Sequence, residues 1–305
     1  MKTTFSPGLV HTPVTPFTRD NRIDFGACGK LIEFHLRHGA DSLALPMHAG
    51  ESVSLTDNER RELLQYAIQQ VKGRVPVIAH ASDSGTGIAA AFARYAEESG
   101  ASAVVSTTPY YWTPPPAMVL EHFAQIGSAV RVPFFVYNAP DEMAGAKITA
   151  ELALQLMEQL PNFAGVVDSS LDWQFMVELV DLARRPRPGF QLLSGVEYMV
   201  SAGAIGAKGL FAPLAAIAPR RVRELYDLCR KDQLFEARKV QEDIAALRQL
   251  VKKAGAASLK SALRAMGRDC GPVRLPLLPI GEVESGQLAE RLAAMASLRA
   301  EPRGW

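Results

Sequence analysis

The sequence predicts an α/β fold, a (β/α)8 TIM barrel with a C-terminal helical appendage, and three observations support this. Eight short apolar runs alternate with amphipathic segments of helical length over the first three-quarters of the chain. Signals for strands stop after Pro219. No dinucleotide-binding glycine fingerprint accompanies the alternation, so a closed barrel is favoured over an open doubly wound sheet.

The order of these segments predicts the elements one by one. Thr56 and Glu59 have the spacing of a capping box, and Gly39 and Gly100 follow helices at positions suited to a left-handed cap. We predict the barrel over residues 1–231 and a C-terminal helical region over 232–305. Predicted strands are 8–14, 42–47, 76–80, 103–107, 133–137, 164–168, 191–194 and 207–211; predicted helices are 24–38, 56–71, 87–99, 116–130, 149–159, 173–184 and 197–204, then 220–231, 234–253, 258–266 and 285–298.

Composition excludes several classes of partner. The chain has 33 Lys and Arg against 32 Asp and Glu, so neither nucleic acid nor an anionic membrane surface is an expected partner. No apolar run reaches the roughly 18 residues of a membrane span, and no signal peptide is visible, so a cytoplasmic location is expected. The three cysteines are far apart and unpaired, which indicates neither a disulfide framework nor a zinc ribbon.

Several short motifs occur in a fixed order along nearly the whole chain. They are V-T-P-F at 14–17, G-E-S with L-T at 50–52 and 55–56, P-Y-Y at 109–111, Y-N-x-P at 137–140, G-x-[DE] at 195–197, K-x-x-L at 260–263 with Gly267, and R-x-P-L at 274–277. Residues 165–170 read Gly-Val-Val-Asp-Ser-Ser. In this order the motifs resemble those of the dihydrodipicolinate synthase / N-acetylneuraminate lyase family, whose sixth strand, G-[IV]-K-[DE]-[AS]-S, matches residues 165–170 except at Val167.

The resemblance implies that the usual nucleophile is missing. In the family the strand-six lysine forms a Schiff base with a 2-oxo acid such as pyruvate, and this requires a neutral amine. Val167 holds that position here and cannot form an imine. Lys208 lies in predicted strand eight, at a position where the family has an apolar residue that contacts bound pyruvate. We consider that it replaces the lost lysine, as imine former or as a cation for a substrate carboxylate. The alternative is a solvated lysine at the bottom of the barrel.

The resemblance also assigns roles to other residues. It implies that Tyr137 relays protons and that Tyr111 is donated across a subunit interface. His48 and Ala49 replace the family's two threonines, so the carboxylate-binding hydroxyl is absent at Ala49. His48 is either a proton relay, since histidine changes charge near neutral pH, or a pocket-lining residue without a chemical task.

Further positions complete the predicted substrate-binding set. Glu142 lies where the synthase branch has an arginine that binds a carboxylate, and a carboxylate there would repel an anionic substrate group. It faces either a hydroxyl-rich or cationic group or solvent. The other predicted substrate-binding residues are Gly50, Glu51, Val167, Asp168, Gly195 and Glu197.

Two functions from different classes follow. The first is a carbon–carbon or carbon–oxygen lyase that acts on a small 2-oxo or hydroxy acid and needs no cofactor. The second is a catalytically inactive relative that binds a small acid as a sensor or structural protein. A homo-oligomer, tetramer or dimer, is expected in both cases. A metal site formed by His48, His80 and Asp168 is a minor alternative, because no compact ligand motif supports it.

Overall fold

The eight strands of the chain form a closed parallel barrel. The structure is a computed structural model, and it describes residues 5–141 and 146–305. Each strand pairs with its neighbours in chain order, and the last strand pairs with the first. The predicted barrel is therefore confirmed. The strands are β1 Leu9–His11, β2 Ser42–Leu45, β3 Val77–His80, β4 Ala103–Thr107, β5 Phe134–Asn138, β6 Phe163–Asp168, β7 Gln191–Ser194 and β8 Gly209–Ala212.

Helices follow the strands and surround the barrel. The helix after β2 begins with the expected capping box: Glu59 N donates to Thr56 Oγ1 at 3.3 Å, and Thr56 N donates to the Glu59 carboxylate at 3.0 Å. The barrel helices are α1 Phe25–Arg37, α2 Asp57–Val71, α3 Thr86–Glu98, α4 Pro116–Ser128, α5 Ala150–Gln159, α6 Trp173–Ala183, α7 Met199–Ala204 and α8 Pro219–Arg230; the appended helices are α9 Leu234–Val251, α10 Gly255–Ala265 and α11 Glu282–Ala294.

Two apolar clusters hold these layers together. The smaller one fills the barrel interior, and the larger one lies between strands and helices and includes α9 residues such as Ala237 and Ile244. The C-terminal helices thus share the outer core of the barrel, and the division at residue 231 stays a prediction. Within 5–141 and 146–305, none of the helices has the length and apolar character needed to cross a membrane.

A buried histidine pair lies outside the barrel wall. His11 at the end of β1 and His35 on α1 are both fully buried, and their Nδ1 atoms are 3.0 Å apart. One of the two nitrogens must carry the proton and the other must accept it. Burial lowers the pKa of His35 to about 3 and lowers that of His11 well below its usual value. Both rings are therefore neutral near neutral pH.

Candidate active site

The carboxyl ends of β4, β5 and β6 place three interior side chains next to one another. Thr107 is in register with Tyr137, and Tyr137 is in register with Val167. Alternation along a strand turns Thr107 to the same side as Val105, which belongs to the interior cluster. Because barrel active sites are built at this end, these three residues mark the candidate site.

Tyr137 is held by hydrogen bonds from two other strands. Its hydroxyl accepts a hydrogen bond from Ser169 Oγ at 2.8 Å and donates to the Gly195 carbonyl at 3.4 Å. A Cβ at Gly195 would lie 2.2 Å from Ser169 Oγ, so any larger residue there would displace the serine. The phenol is thus positioned by the residues that follow β6 and β7, and Gly195 contributes through its backbone.

His80 and Ser82 form a second hydrogen-bonded pair after β3. The Pro46 carbonyl, 2.8 Å away, accepts only, so His80 Nδ1 carries the proton. His80 Nε2 then accepts the Ser82 hydroxyl proton at 2.8 Å, and Thr107 N donates to Ser82 Oγ at 2.9 Å. Burial lowers the pKa of His80 to about 3, which keeps the ring neutral. Both ring nitrogens are therefore engaged within the protein.

These groups line a small cavity above the barrel. Its volume is about 30 Å³, which suits a ligand only a few atoms in size. No lysine of the described chain lies on its wall, and His80 is uncharged there. The cavity is lined by Met47, His48, Ser52, Val53, His80, Ser82, Thr107, Tyr110 and Tyr137.

A second cavity of about 230 Å³ adjoins the first through His48. His48 is exposed and opens the short 3-10 helix His48–Gly50, and Ala49 faces the second cavity together with Arg248.

Glu197, predicted to bind substrate, is fully buried and pairs with Arg248 at 3.0 Å. Its other oxygen accepts the Leu214 N–H at 2.7 Å. Burial raises the Glu197 pKa, and Arg248 opposes this. The carboxylate thus anchors Arg248.

Glu51, also predicted to bind substrate, is occupied by protein groups instead. Its carboxylate pairs with Lys260 Nζ at 2.7 Å and accepts the Arg274 N–H at 2.8 Å. The adjacent Gly50 carbonyl accepts a hydrogen bond from Thr15 at 2.6 Å. Glu51 and Gly50 therefore fix the loop that carries His48, and neither lines the cavity around Tyr137.

Asp168 is likewise engaged by its neighbours. Its carboxylate accepts hydrogen bonds from Asn138 Nδ2 at 2.7 Å and from Ser170 Oγ at 2.9 Å. Burial raises its pKa, whereas these hydrogen bonds lower it. Alternation turns Asp168 away from the interior side that Val167 occupies, so the structure separates it from the Tyr137 cavity. Val167 itself is fully buried in the interior cluster.

Lys208 lies at the opposite end of the barrel. It is exposed and precedes Gly209, the first residue of β8, whereas barrel active sites lie at the carboxyl ends. The interior residue of β8 near Tyr137 is Phe211, whose ring centroid is 6.4 Å from that of the tyrosine. The structure thus does not bring Lys208 together with Tyr137 and His48. Its exposed position corresponds to the alternative interpretation, a solvated lysine at the bottom of the barrel.

The remaining predictions concern Tyr111, Glu142 and a metal site. Tyr111 is 94% exposed and has a left-handed backbone with φ of 90°, in the loop after β4. Glu142 lies outside the described residues. No three histidine, cysteine, aspartate or glutamate side chains within 5–141 and 146–305 are grouped so as to hold a metal ion.

Sequence reasoning missed Ser82, Thr107, Ser169 and Phe211. The first three follow strands or end them, at the end of the barrel where sites are built, and this was the available signal. Phe211 could be found by assigning the inward positions of β8, since alternate residues face the interior.

A barrel with a cavity at the carboxyl ends of its strands, whose wall carries hydroxyl and imidazole groups, defines the class of this protein. A sequence profile of the dihydrodipicolinate synthetase family matches residues 6–295, nearly the whole chain. The chain therefore belongs to the dihydrodipicolinate synthetase family, as its motifs indicated.

Individual relatives agree with this assignment. The chain is 33% identical over 279 residues to a 4-hydroxy-tetrahydrodipicolinate synthase of Azoarcus sp. strain BH72, covering 90% of this chain and 93% of the relative. It is 29% identical over 284 residues to the synthase of Bacillus subtilis, with 92% and 97% covered.

Solved structures of family members superpose closely. The dihydrodipicolinate synthase of Thermotoga maritima gives a TM-score of 0.90 at 26% identity, covering 96% of this chain and 99% of the other. The synthase of Acinetobacter baumannii, solved with pyruvate, gives 0.88 at 26% identity, with 95% and 98% covered.

Proposed function

We propose that this protein is an aldolase-like lyase that acts on a small 2-oxo or hydroxy acid without forming an imine. The observation that supports this most directly is the hydrogen-bonded Tyr137 beside a cavity whose described lining contains no lysine. We infer that Val167 occupies the position of the family's Schiff-base lysine. The described wall offers hydroxyl and imidazole groups instead.

Tyr137 would polarise the carbonyl of a 2-oxo acid. Its 3.4 Å contact to Gly195 is long for an O–H···O hydrogen bond, so a bound carbonyl oxygen can compete for the phenolic proton. As a base removes a proton from C3, the C3–H electron pair becomes the C2=C3 bond of an enol, and the carbonyl oxygen takes the proton of Tyr137. Ser169 Oγ–H stabilises the phenolate that remains.

His48 is the residue we assign as that base. It lies on the wall of the cavity around Tyr137 and also faces the adjoining cavity, so a substrate can approach it from either side. The enol carbon then attacks an aldehyde carbon, or, in the reverse direction, is released when a carbon–carbon bond breaks. Proton transfer of this kind typically contributes about 10²–10⁴-fold to rate.

Exchange of pyruvate C3 protons for deuterium, followed by NMR, tests enol formation directly. We expect the wild-type protein to catalyse exchange and Tyr137→Phe to slow it by about 10²-fold or more, because the proton donor is lost. Tyr95→Phe is the matched control, since Tyr95 donates to Arg61 O on the barrel exterior. Equal rates in Tyr137→Phe and the wild type would refute the assignment of Tyr137.

The second candidate is a catalytically inactive relative that binds a small acid as a sensor or structural protein. The same lack of a lysine on the described cavity wall favours it. A thermal-shift series with pyruvate, glyoxylate, lactate and glycolate separates the two, because a ligand that binds only the native state raises its stability. Binding without proton exchange would support the sensor. Absence of any shift would contradict both candidates.

We infer that the protein is a homo-oligomer, either dimer or tetramer. Val53, Tyr111 and Trp112 are exposed next to the site, and exposed apolar surface of this kind marks interaction sites. The family resemblance implies that Tyr111 enters a neighbouring subunit. Sedimentation velocity that detects monomer alone at micromolar concentration would contradict this inference.

A further inference from the structure

A buried hydroxyl on the cavity wall has no partner. Thr107 is 1% exposed, and its Oγ1 makes no hydrogen bond to any group in the described chain. Leaving a buried hydroxyl unpaired costs free energy, and each such group in a native protein needs an explanation. Thr107 lines the cavity around Tyr137, where a ligand can supply the missing partner.

Its polar neighbours on the same wall already have partners. His80 donates to Pro46 O and accepts from Ser82, and Ser82 in turn accepts from Thr107 N. These bonds use the ring nitrogens of His80 and the hydroxyl proton of Ser82. The proton of the Thr107 hydroxyl is therefore the one that this group of three can offer to a ligand.

We propose that Thr107 Oγ1 binds the carboxylate of the acid, in place of the hydroxyl that is absent at Ala49. The inference rests on the proposed function and narrows it, because it assigns the carboxylate to the β4 side of the cavity. A hydroxyl donor suits a carboxylate oxygen, and a hydrogen bond to a charged acceptor is stronger than one to a neutral acceptor. The C2 carbonyl then lies towards Tyr137, the register neighbour of Thr107.

The chain supplies a matched control at the next residue. Thr108 is also 1% exposed and its Oγ1 also lacks a hydrogen-bond partner within the described residues. Thr108 does not line the cavity around Tyr137. Removing its hydroxyl reproduces the chemical change without touching the proposed ligand.

Titration calorimetry with the tightest binder among pyruvate, glyoxylate, lactate and glycolate tests the proposal. We expect Thr107→Val to weaken binding by roughly tenfold to a hundredfold, as loss of a hydrogen bond to a charged group implies. Thr107→Ser, which keeps the hydroxyl, and Thr108→Val should bind within about twofold of wild type. Thr107→Ala removes the same hydroxyl and serves if the valine variant fails to fold.

Pyruvamide provides a second measurement. If Thr107 binds the carboxylate, the preference of the protein for pyruvate over pyruvamide should fall in Thr107→Val. Thermal melting of the ligand-free variant should show no loss of stability, since the substitution removes an unpaired buried group.

The results of these measurements distinguish a failure of the Thr107 inference from a failure of the proposed function. Wild-type affinity in both Thr107→Val and Thr107→Ala overturns the role of Thr107 and leaves the proposed function standing. Equal losses in Thr107→Val and Thr108→Val also overturn it, because the effect would then not depend on the cavity. A panel in which no acid binds the wild-type protein overturns both.

Discussion

At the scale of single residues, Val167 occupies an interior position beside the candidate site. Its side chain is fully buried between Tyr137 on β5 and Leu193 on β7. An apolar side chain there offers neither a nucleophile nor a charge. Under the proposed function, the neighbouring hydroxyl groups therefore bind and polarise the substrate.

If Val167 occupies the position of the family's Schiff-base lysine, as we propose, a lysine introduced there should enable covalent chemistry. In Val167→Lys the amine would reach the cavity beside Tyr137, and burial lowers a lysine pKa so that the neutral amine is available. We expect borohydride to trap a pyruvate adduct on this variant and none on the wild type, detected by intact mass and peptide mapping. Lys208→Met in the same background should not affect trapping. An adduct on wild-type Lys208 would contradict this account.

The residue scale is also where sequence reasoning was least complete. Tyr137 and Val167 could be placed at strand ends from the resemblance. Lys208 was predicted to face the pocket from strand eight, but it precedes that strand at the opposite end of the barrel. The interior position of β8 near Tyr137 belongs to Phe211. Ser169 was missed because its relevance depends on a hydrogen bond to Tyr137 on another strand. Thr107 was missed because the lack of a partner for its Oγ1 within the described residues can be seen only in three dimensions.

At the scale of elements, the loop after β2 depends on the C-terminal region. Glu51 has a left-handed backbone, with φ of 55°, and its buried carboxylate is paired with Lys260 of α10. The Lys260 ammonium group also lies 4.3 Å from the centroid of the Phe17 ring. The loop that presents His48 is therefore fixed by contacts from a distant helix.

Lys260→Met should therefore destabilise the protein strongly. Burial lowers the pKa of Lys260 while Glu51 raises it, and removing the cation leaves a buried carboxylate without its ion-pair partner. We expect a loss of about 3–5 kcal/mol in urea unfolding. Lys253→Met removes an exposed ion pair of similar length, 2.8 Å to Glu284, and should change stability little. Similar effects of the two variants would contradict the role of Lys260.

Element boundaries were predictable because they depend on local chemistry. The predicted helix 56–71 corresponds to Asp57–Val71, and 116–130 corresponds to Pro116–Ser128. The first strand was predicted at 8–14 but forms only Leu9–His11. Pro13 follows it closely, and proline cannot donate to a ladder within a sheet.

At the scale of the whole molecule, the buried histidines link stability to pH. His11 and His35 contact each other between β1 and α1, and the nearby cations Arg223 and Arg268 further disfavour their protonation. Their folded pKa values lie below the unfolded value of about 6.5. The neutral forms therefore stabilise the fold fully above pH 6.5, and this stability is lost as pH falls towards 3.

Unfolding in urea across pH 4 to 7 measures this effect. Each such histidine should contribute a slope of up to roughly 1.4 kcal/mol per pH unit below pH 6.5. His80 and His122 add to it, because burial lowers their pKa values to about 3 and about 4. The double variant His11→Val with His35→Leu should show a shallower slope than the wild type. An unchanged slope would mean that the pair does not titrate with unfolding.

The pairing of Glu51 with Lys260 and Arg274 also has a consequence for synthesis of the chain. The hydrogen bond from Arg274 joins residues 223 positions apart, so both partners of Glu51 leave the ribosome long after the loop itself. A nascent chain that already contains all eight strands still lacks them. The contacts that fix the loop carrying His48 are therefore completed only after residue 274 has been translated, and a truncated product ending before residue 260 would contain all eight strands but lack both partners of Glu51.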